Sequence, residues 1–188
     1  AGTMTTIIGV QNADGCVIAS DSRVAEGGKV YTHPEMVKAV ERGNYIIGGA
    51  GDYRALQVAL HGWNPPTVTV KAKQNLYEFV INKVAPSLKS TLVEAGIEFN
   101  KGSEDSDNKF ELQLLIGING TLFEIDSDFA VAMNDTGFYA VGSGGDYALG
   151  ALHAGVSILD AMRIAAINNN GTSAPFYILE QKVNRYAK

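Results

Sequence analysis

The sequence predicts an α+β fold in which two stacked, mainly antiparallel sheets lie between two layers of helices. Strand signals come first, helical periodicity follows, and the same order is repeated before one last strand. Runs of strands followed by runs of helices are typical of such layered folds. With 188 residues, of which 46% are hydrophobic, the chain is long enough for one domain with a sizeable core.

The first strands are predicted where apolar and β-branched residues alternate between turn signals. These segments are 6–10, 16–20, 29–31, 36–40 and 45–48, and they are expected to form the first sheet. A helix is predicted over 52–61, because Asp52 is a good N-cap residue and two prolines follow the segment. A second helical pattern covers 74–95, where Pro86 is expected to kink or divide the helix. Both helices would cover one face of a sheet.

The second half of the chain begins with a polar, largely acidic stretch at 101–108, which is expected to be an exposed loop. Strands are predicted on both sides of Asn119-Gly120, the strongest hairpin signal in the chain. The predicted elements of this half are strands at 110–118, 121–125 and 138–141, helices at 146–154 and 157–168, and a strand at 176–179 that closes the second sheet.

Composition and charge argue against several classes of protein. The net charge is -5 and the basic residues are scattered, which disfavours nucleic-acid binding. The single cysteine, Cys16, lies in an apolar strand pattern and is expected to be a small core residue. No leader peptide or membrane-spanning run is visible, so a cytoplasmic protein without membrane contact is expected. The three histidines lie in separate segments, and no metal or other cofactor is predicted.

Two adjacent threonines, Thr5 and Thr6, open the first strand and indicate a threonine nucleophile. A threonine hydroxyl is a poor nucleophile unless a base takes its proton. An N-terminal threonine carries its own base, an α-amine with a pKa of about 7.7 to 8.0. Such an amine is useful only near a buried cation and carboxylate that fix its protonation state. Asp21 and Lys38 are well placed to supply them.

Each of these residues also has a purely structural interpretation. A Thr-Thr pair in a strand ordinarily reflects only the preference of β-branched residues for strands. Asp21 alone would more often cap a turn, and Lys38 alone would more often be a solvated strand edge. The Gly-Ser-Gly-Gly run at 142–145 could simply start a helix. A phosphate-binding loop is disfavoured, because no Gly-Lys-Ser/Thr follows that run.

Taken together, these segments resemble a known family. The stretches 5–10 and 14–21 are similar to the amino-terminal hairpin of proteasome β subunits and of bacterial HslV-type peptidases. The likeness continues through 46–52 and 140–145, and it covers most of the chain. It implies the four-layer αββα sandwich of N-terminal nucleophile (Ntn) hydrolases. It also implies a threonine-type endopeptidase that works without a cofactor, through an ester intermediate.

The resemblance implies a role for each matching residue. Thr5 would be the nucleophile, and Asp21 and Lys38 would be the charged pair that tunes it. The backbone N–H of Gly48 would form the oxyanion hole. The pocket for the substrate side chain before the cut would be lined by Val24, Met36 and Ile46, which implies cleavage after apolar residues.

Two serines are implied near the terminal amine. Ser143 matches the first of them, and Ser173 is expected to match the second. Counting back from Ser173 gives Asn170, an amide where proteasome subunits usually carry an aspartate. The substitution of an amide for this aspartate affects the network of hydrogen bonds near the terminal amine.

Residues 1–4 precede Thr5, and while they remain attached its nitrogen is an amide and not an amine. We expect Met4 to be the natural initiator, removed before the small threonine, and the residues ahead of it to be a remnant of the expression vector. A propeptide that cleaves itself before Thr3 is disfavoured, because Thr3 has the wrong spacing to the charged pair. A permanent extension would indicate a structural subunit. The single peptidase domain is then 5–188.

The resemblance also implies partners. Family members form closed homo-oligomeric rings, stacked here as a double ring, whose inner chamber admits unfolded proteins. The chain has no ATPase motif, so a separate AAA+ unfoldase would have to feed it. Two other functions stay open. One is a non-catalytic ring or scaffold subunit, which Asn170 and the residues ahead of Thr5 favour. The other is an amidase that acts on small molecules.

Overall fold

The computed structural model describes residues 5–97 and 110–184. The expected extension at 1–4 and the expected loop at 101–108 lie outside these residues. The strands are β1 Ile7–Asn12, β2 Gly15–Ser20, β3 Val24–Glu26, β4 Lys29–Tyr31, β5 Ala39–Arg42, β6 Tyr45–Gly51, β7 Leu112–Ile118, β8 Thr121–Ile125, β9 Val131–Ala132, β10 Phe138–Val141 and β11 Tyr177–Lys182.

The helices are α1 Tyr53–Gln57, α2 Val70–Gln74, α3 Leu76–Phe79, α4 Ala85–Glu94, α5 Gly145–His153 and α6 Ile158–Asn168. The predicted N-cap of α1 is confirmed, since the Asp52 side chain accepts hydrogen bonds from the N–H groups of Arg54 and Ala55. A π-helical turn, Val80–Val84, joins α3 to α4 just before Pro86. Proline lacks an N–H and clashes with the preceding turn, which accounts for the wider turn there. The helical residues nevertheless run without a break from Leu76 to Glu94, so Pro86 does not divide the helix.

The strands form two antiparallel sheets, one with four strands in the order β10-β1-β2-β11 and one with five in the order β5-β6-β7-β8-β9. Two sheets were expected, but their predicted membership is wrong. The early strands β1 and β2 pair with the late strands β10 and β11, while β3 and β4 form a separate hairpin. The closing strand β11 therefore belongs to the sheet of β1. Such long-range pairings are not visible in local sequence patterns.

The described residues pack in four layers. Apolar side chains from both sheets meet between them, and they include Ile7, Ile18, Ile46 and Leu115. Helices α1 to α4 cover the outer face of the five-stranded sheet, and α5 and α6 cover the four-stranded sheet. The predicted αββα sandwich is confirmed. No helix within the described ranges is long and apolar enough to cross a membrane.

Candidate active site

Thr5 lies two residues before β1, a central strand of its sheet, and its side chain is fully buried. Its backbone N–H donates to Ser143 Oγ at 3.2 Å, and its carbonyl oxygen accepts from the N–H of Gly144 at 3.2 Å. Among the residues that the structure describes, the Thr5 hydroxyl has no hydrogen-bond partner. A buried hydroxyl left without a partner costs about 1–3 kcal/mol, so its retention requires an explanation.

The structure brings Asp21 and Lys38 into direct contact. The Lys38 Nζ donates to Asp21 Oδ1 at 2.8 Å, and both side chains are fully buried. The same oxygen accepts from the N–H of Thr6 at 3.2 Å, and Asp21 Oδ2 accepts from the N–H groups of Arg23 and Ser173 at 3.1 Å. One carboxylate thus connects the start of β1, the end of β2, the segment before β5 and the segment before β11.

Burial acts on both members of this ion pair. Burial raises the pKa of the Asp21 carboxyl, and the Lys38 ammonium opposes that rise. Burial also lowers the pKa of Lys38, while the Asp21 carboxylate opposes the fall and the Arg23 charge adds to it. Lys38 therefore gives up a proton more readily than a surface lysine does. Perturbed pKa values of this kind cluster at functional sites, and they also occur in structural ion pairs.

A chain of side-chain hydrogen bonds surrounds the Thr5 nitrogen. Ser143 Oγ donates to Asn169 Oδ1 at 3.1 Å, and Thr172 Oγ1 donates to the same Asn169 oxygen at 3.0 Å. The Thr172 hydroxyl in turn lies 2.6 Å from the Thr6 hydroxyl. The chain therefore runs from Thr5 through Ser143, Asn169 and Thr172 back to Thr6.

This network corrects the residues predicted around the second serine. Asn170 is exposed, and Ser173 contributes its backbone, whose N–H bonds Asp21 and whose carbonyl accepts from the Ser22 N–H at 3.1 Å. The side chains in the network that the structure shows are those of Asn169 and Thr172, and not those predicted at Asn170 and Ser173. Both pairs have the same spacing, so counting along the sequence cannot distinguish them. The folded position of the loop after α6 decides between them.

The backbone N–H of Gly48 does not point in the direction that the predicted oxyanion hole requires. It lies within β6, in register with Ala39 of β5 and Leu115 of β7. The N–H of the next residue, Gly49, donates toward β5, to the Lys38 carbonyl at 3.0 Å. Because successive N–H groups point to opposite sides of a strand, the Gly48 N–H points toward β7. In this structure it belongs to the sheet and not to the space around Thr5.

One of the three residues predicted for the substrate pocket, Ile46, does not lie at Thr5. Ile46 is 1% exposed and lies in the core between the sheets, where a Cβ at Gly117 would contact both Ile46 and Cys16. Cys16 pairs with Gln11 of β1. Gln11 is six residues beyond Thr5, which corresponds to about 20 Å along a strand. Val24 is buried on β3, and Met36 is half-buried before β5. The prediction for Ile46 is therefore corrected to a core role.

A cavity of about 650 Å³ lies beside Ser143 and Gly142. Ala50 and Gln113 line it, together with three acidic residues, Glu111, Asp126 and Asp128. Burial raises the pKa of Asp126, and the neighbouring Asp128 carboxylate adds to the rise. This open space next to the residue that holds the Thr5 nitrogen is lined by acid groups and not by the apolar side chains that the sequence predicted.

Gly142 is required by its backbone geometry. Its φ is +91°, in the region that favours glycine, and an added Cβ would run into the Thr5 carbonyl oxygen. The turn that carries Ser143 can therefore approach Thr5 closely only because residue 142 has no side chain.

Comparison with known proteins supports the sequence resemblance. No family model matches the chain. The chain is 29% identical to the proteasome subunit beta of Halobacterium salinarum, in an alignment that covers 87% of this chain. The chain spans 65% of the length of that relative, which is slightly less than two thirds.

Solved structures show the same fold. BPH from Thiobacillus denitrificans, in complex with epoxomicin, matches with a TM-score of 0.67 and 18% identity, over 95% of this chain and 99% of that one. The eukaryotic HslV from Trypanosoma brucei matches with a TM-score of 0.62 and 22% identity, over 94% of this chain and 99% of that one. The predicted Ntn-hydrolase fold and the predicted resemblance are both confirmed.

Proposed function

We propose that this chain, which is related in sequence and in fold to proteasome β subunits and HslV-type peptidases, is a threonine-type endopeptidase with Thr5 as its nucleophile. The observation that carries the proposal is the fully buried Thr5 hydroxyl, which has no partner among the described residues. The buried Asp21–Lys38 pair, held to Thr6 by a hydrogen bond, adds support. A buried ion pair is costly to maintain, so its presence beside a threonine favours a chemical role.

The proposed reaction passes through an ester. The Thr5 Oγ attacks the carbonyl carbon of the scissile peptide bond, and the Thr5 α-amine takes the hydroxyl proton directly or through a water molecule. The proton then goes to the leaving amine, the C–N bond breaks, and the acyl group remains on Thr5. Water hydrolyses this ester and regenerates the hydroxyl.

The reaction requires a free amine on Thr5. In this sequence, the Thr5 nitrogen belongs to a peptide bond with Met4. Removal of the residues through Met4 would create the base, either by methionine aminopeptidase acting on a chain that begins at Met4 or by processing of a longer precursor. The hydrogen bond to Ser143 Oγ already holds this nitrogen in place.

The test is covalent capture by a peptide epoxyketone, which needs both a threonine hydroxyl and a free α-amine to form its ring. The protein is expressed from Met4 without a tag, and its intact mass is measured before and after incubation. We expect one adduct per chain, located on Thr5 by peptide mapping. Thr5→Ala and a version with a permanent extension before Thr5 are the matched controls, and neither should react.

An alternative outcome would contradict the proposal. If the starting mass shows that Met4 has been removed and no adduct forms, the site is assembled but inactive. A non-catalytic ring or scaffold subunit would then be the better assignment. That second candidate is favoured by Asn169, a neutral amide in the network where the resemblance implies an aspartate. An amidase would instead hydrolyse acylated small amides and leave casein intact.

The proposal includes the assembly and the substrate class that the resemblance implies. Subunits would form a ring, stacked as a double ring, that degrades unfolded proteins delivered by a separate AAA+ unfoldase. Its cleavage preference can be read with fluorogenic peptides. Faster cleavage after Leu or Tyr would support the apolar pocket predicted from Val24 and Met36. Faster cleavage after Arg would instead favour the acidic cavity beside Ser143.

A further inference from the structure

The Thr5 side chain points into the space between the two sheets. Successive side chains of a strand lie on opposite faces, and on β1 Ile7 packs between the sheets while Ile8 packs under α5 and α6. The pairing with β2 extends back to Thr6, whose carbonyl oxygen accepts from the Asp21 N–H at 3.2 Å. Thr5 therefore continues the alternation and shares the direction of Ile7, toward the five-stranded sheet.

The acidic cavity of about 650 Å³ opens at this end of the space between the sheets. Ala50 belongs to the core between the sheets and also lines the cavity. Gln113 pairs with Ala50 across β6 and β7, and its Oε1 accepts from the Gly142 N–H at 3.4 Å. Ser143 lines the same cavity, and its Oγ accepts from the Thr5 N–H at 3.2 Å. The buried Thr5 hydroxyl, which has no partner among the described residues, is therefore aimed toward the cavity.

The lining of the cavity carries negative charge. It includes Glu111, Asp126 and Asp128 and, among the described residues, no lysine, arginine or histidine. Neither ion pair within the described ranges involves these three acids. Burial raises the pKa of the Asp126 carboxyl, and the Asp128 carboxylate adds to the rise. A cation in the cavity would favour the ionised form and oppose this rise, so the lining suits a positively charged group.

The loop that carries Asp126 is fixed to the sheet beside the cavity. The Ser127 Oγ accepts from the Leu112 N–H at 2.9 Å, at the start of β7. The Asp126 N–H donates to the Ala130 carbonyl oxygen at 3.2 Å, and Asp128 Oδ1 accepts from the Ala130 N–H at 2.9 Å. Asp128 is also more exposed than Asp126. Because a partly buried charge is screened less than an exposed one, Asp126 is the stronger partner for a cation.

We propose that this cavity binds the side chain of a lysine or arginine immediately before the cut, and that Asp126 determines this specificity. The inference rests on the proposed function and names its substrate class. In the ester, the acyl group stays bonded to Thr5 Oγ, so the side chain of that substrate residue remains the closest one to Thr5. A lysine or arginine stem can pass along Ala50 while its charged head reaches the carboxylates. This cationic preference replaces the apolar one that the resemblance implies.

The test uses protein expressed from Met4 and fluorogenic peptides that differ only in the residue before the cut. Arginine is compared with citrulline, which has the same length and no charge, and kcat/KM is measured at low and high salt. We expect arginine to be preferred about tenfold at low salt, since a hydrogen bond to a charged group contributes about that factor. The preference should fall as salt screens the charges. A pocket that selects by shape alone would show no dependence on salt.

The role of Asp126 is tested by substitution. Asp126→Asn removes the charge with little change of shape and should lower the ratio of arginine to citrulline cleavage several-fold, whereas Asp126→Glu should restore most of it. Asp135→Asn is the matched control, because it removes an exposed acid outside the cavity lining, and it should leave the ratio at the wild-type value. Thermal unfolding checks the fold of each variant. If Asp126→Asn fails to fold, Glu111→Gln, at an exposed position of the same lining, decides.

The inference is overturned if arginine and citrulline peptides are cleaved equally, if the deciding variant keeps the wild-type ratio, or if Asp135→Asn lowers the ratio equally. Failure of the proposed function gives a different result, in which no peptide is cleaved and no epoxyketone adduct forms. Binding of fluorescent arginine and citrulline peptides, followed by anisotropy, then decides. Tighter arginine binding that Asp126→Asn abolishes would leave the cavity assignment standing, and equal binding would overturn it.

Discussion

At the scale of single residues, loss of either partner of the buried Asp21–Lys38 ion pair is expected to lower stability strongly. Lys38→Met leaves the Asp21 carboxylate buried without its cation, which costs roughly 3–5 kcal/mol. Asp21→Asn/Lys38→Met removes both charges and should lose less than the two single changes together. Urea unfolding of the wild type, the two single variants and the double variant measures this coupling. Strictly additive losses would contradict it.

The pH dependence of Lys38→Met follows from the same burial. Burial raises the pKa of Asp21, and this variant lacks the opposing ammonium. A carboxyl whose pKa is higher in the folded state than in the unfolded state favours folding at low pH, and this contribution is lost as pH rises through the folded pKa. The stability deficit of Lys38→Met should therefore shrink on acidification from neutral pH. A deficit that grows toward acid would contradict the expected direction.

Cys16 provides a probe of the core between the sheets. The thiol is 2% exposed, and burial raises its pKa to about 12. Because the thiolate is the reactive form, native protein should react with a thiol reagent at pH 8 far more slowly than protein unfolded in urea. Absorbance of the released reagent product measures both rates. Equal rates would mean that the thiol is not buried as described.

The residues of the site differ in how far the sequence could predict them. Thr5, Asp21, Lys38 and Ser143 each lie next to a short, distinctive sequence pattern, and the structure brings them to one place. Asn169 could not be chosen over its neighbours, because Asn168 to Asn170 are identical amides. The direction of the Gly48 N–H and the position of Ile46 depend on strand register, which local patterns do not contain.

At the scale of elements, the turn between β10 and α5 is expected to be sensitive to side-chain volume. Gly142→Ala places a methyl group against the Thr5 carbonyl oxygen at a φ of +91°, so it should lower both stability and epoxyketone capture. Gly150→Ala is the matched control, because it lies within α5 with open space around it. It should stabilise by about 1 kcal/mol, since alanine favours helix over glycine. Thermal unfolding and intact mass measure both effects.

The elements that the sequence predicts best are those with local causes. The Asn119-Gly120 turn joins β7 to β8 as expected, with Asn119 at a φ of 49°. Ser157 caps α6, accepting from the N–H of Asp160. The short strands β3 and β9 and the helix α2 were not predicted. The two strands are defined by their pairing with β4 and β8. Helix α2 begins at an N-cap, where the Thr69 side chain accepts from the N–H of Ala72.

At the scale of the whole molecule, the proposed ring predicts a particle much larger than the 20.0 kDa chain. Several large apolar side chains remain exposed among the described residues, Ile167 on α6 at 82% most of all. Only a contiguous patch of such side chains would mark a surface that other subunits cover, because single exposed apolar residues are normal on any protein. Light scattering at micromolar concentration should give a mass of many chains. A monomer would contradict the assembly.

The position of β1 in its sheet has a consequence for how the protein would lose activity. This strand is central, with β10 on one side and β2 on the other. β1 therefore has no free edge, and the strand that follows Thr5 should open only when the whole sheet opens. Amide hydrogens of β1 should exchange with solvent as slowly as the most protected core amides. Inactivation by denaturant should then coincide with global unfolding and not precede it.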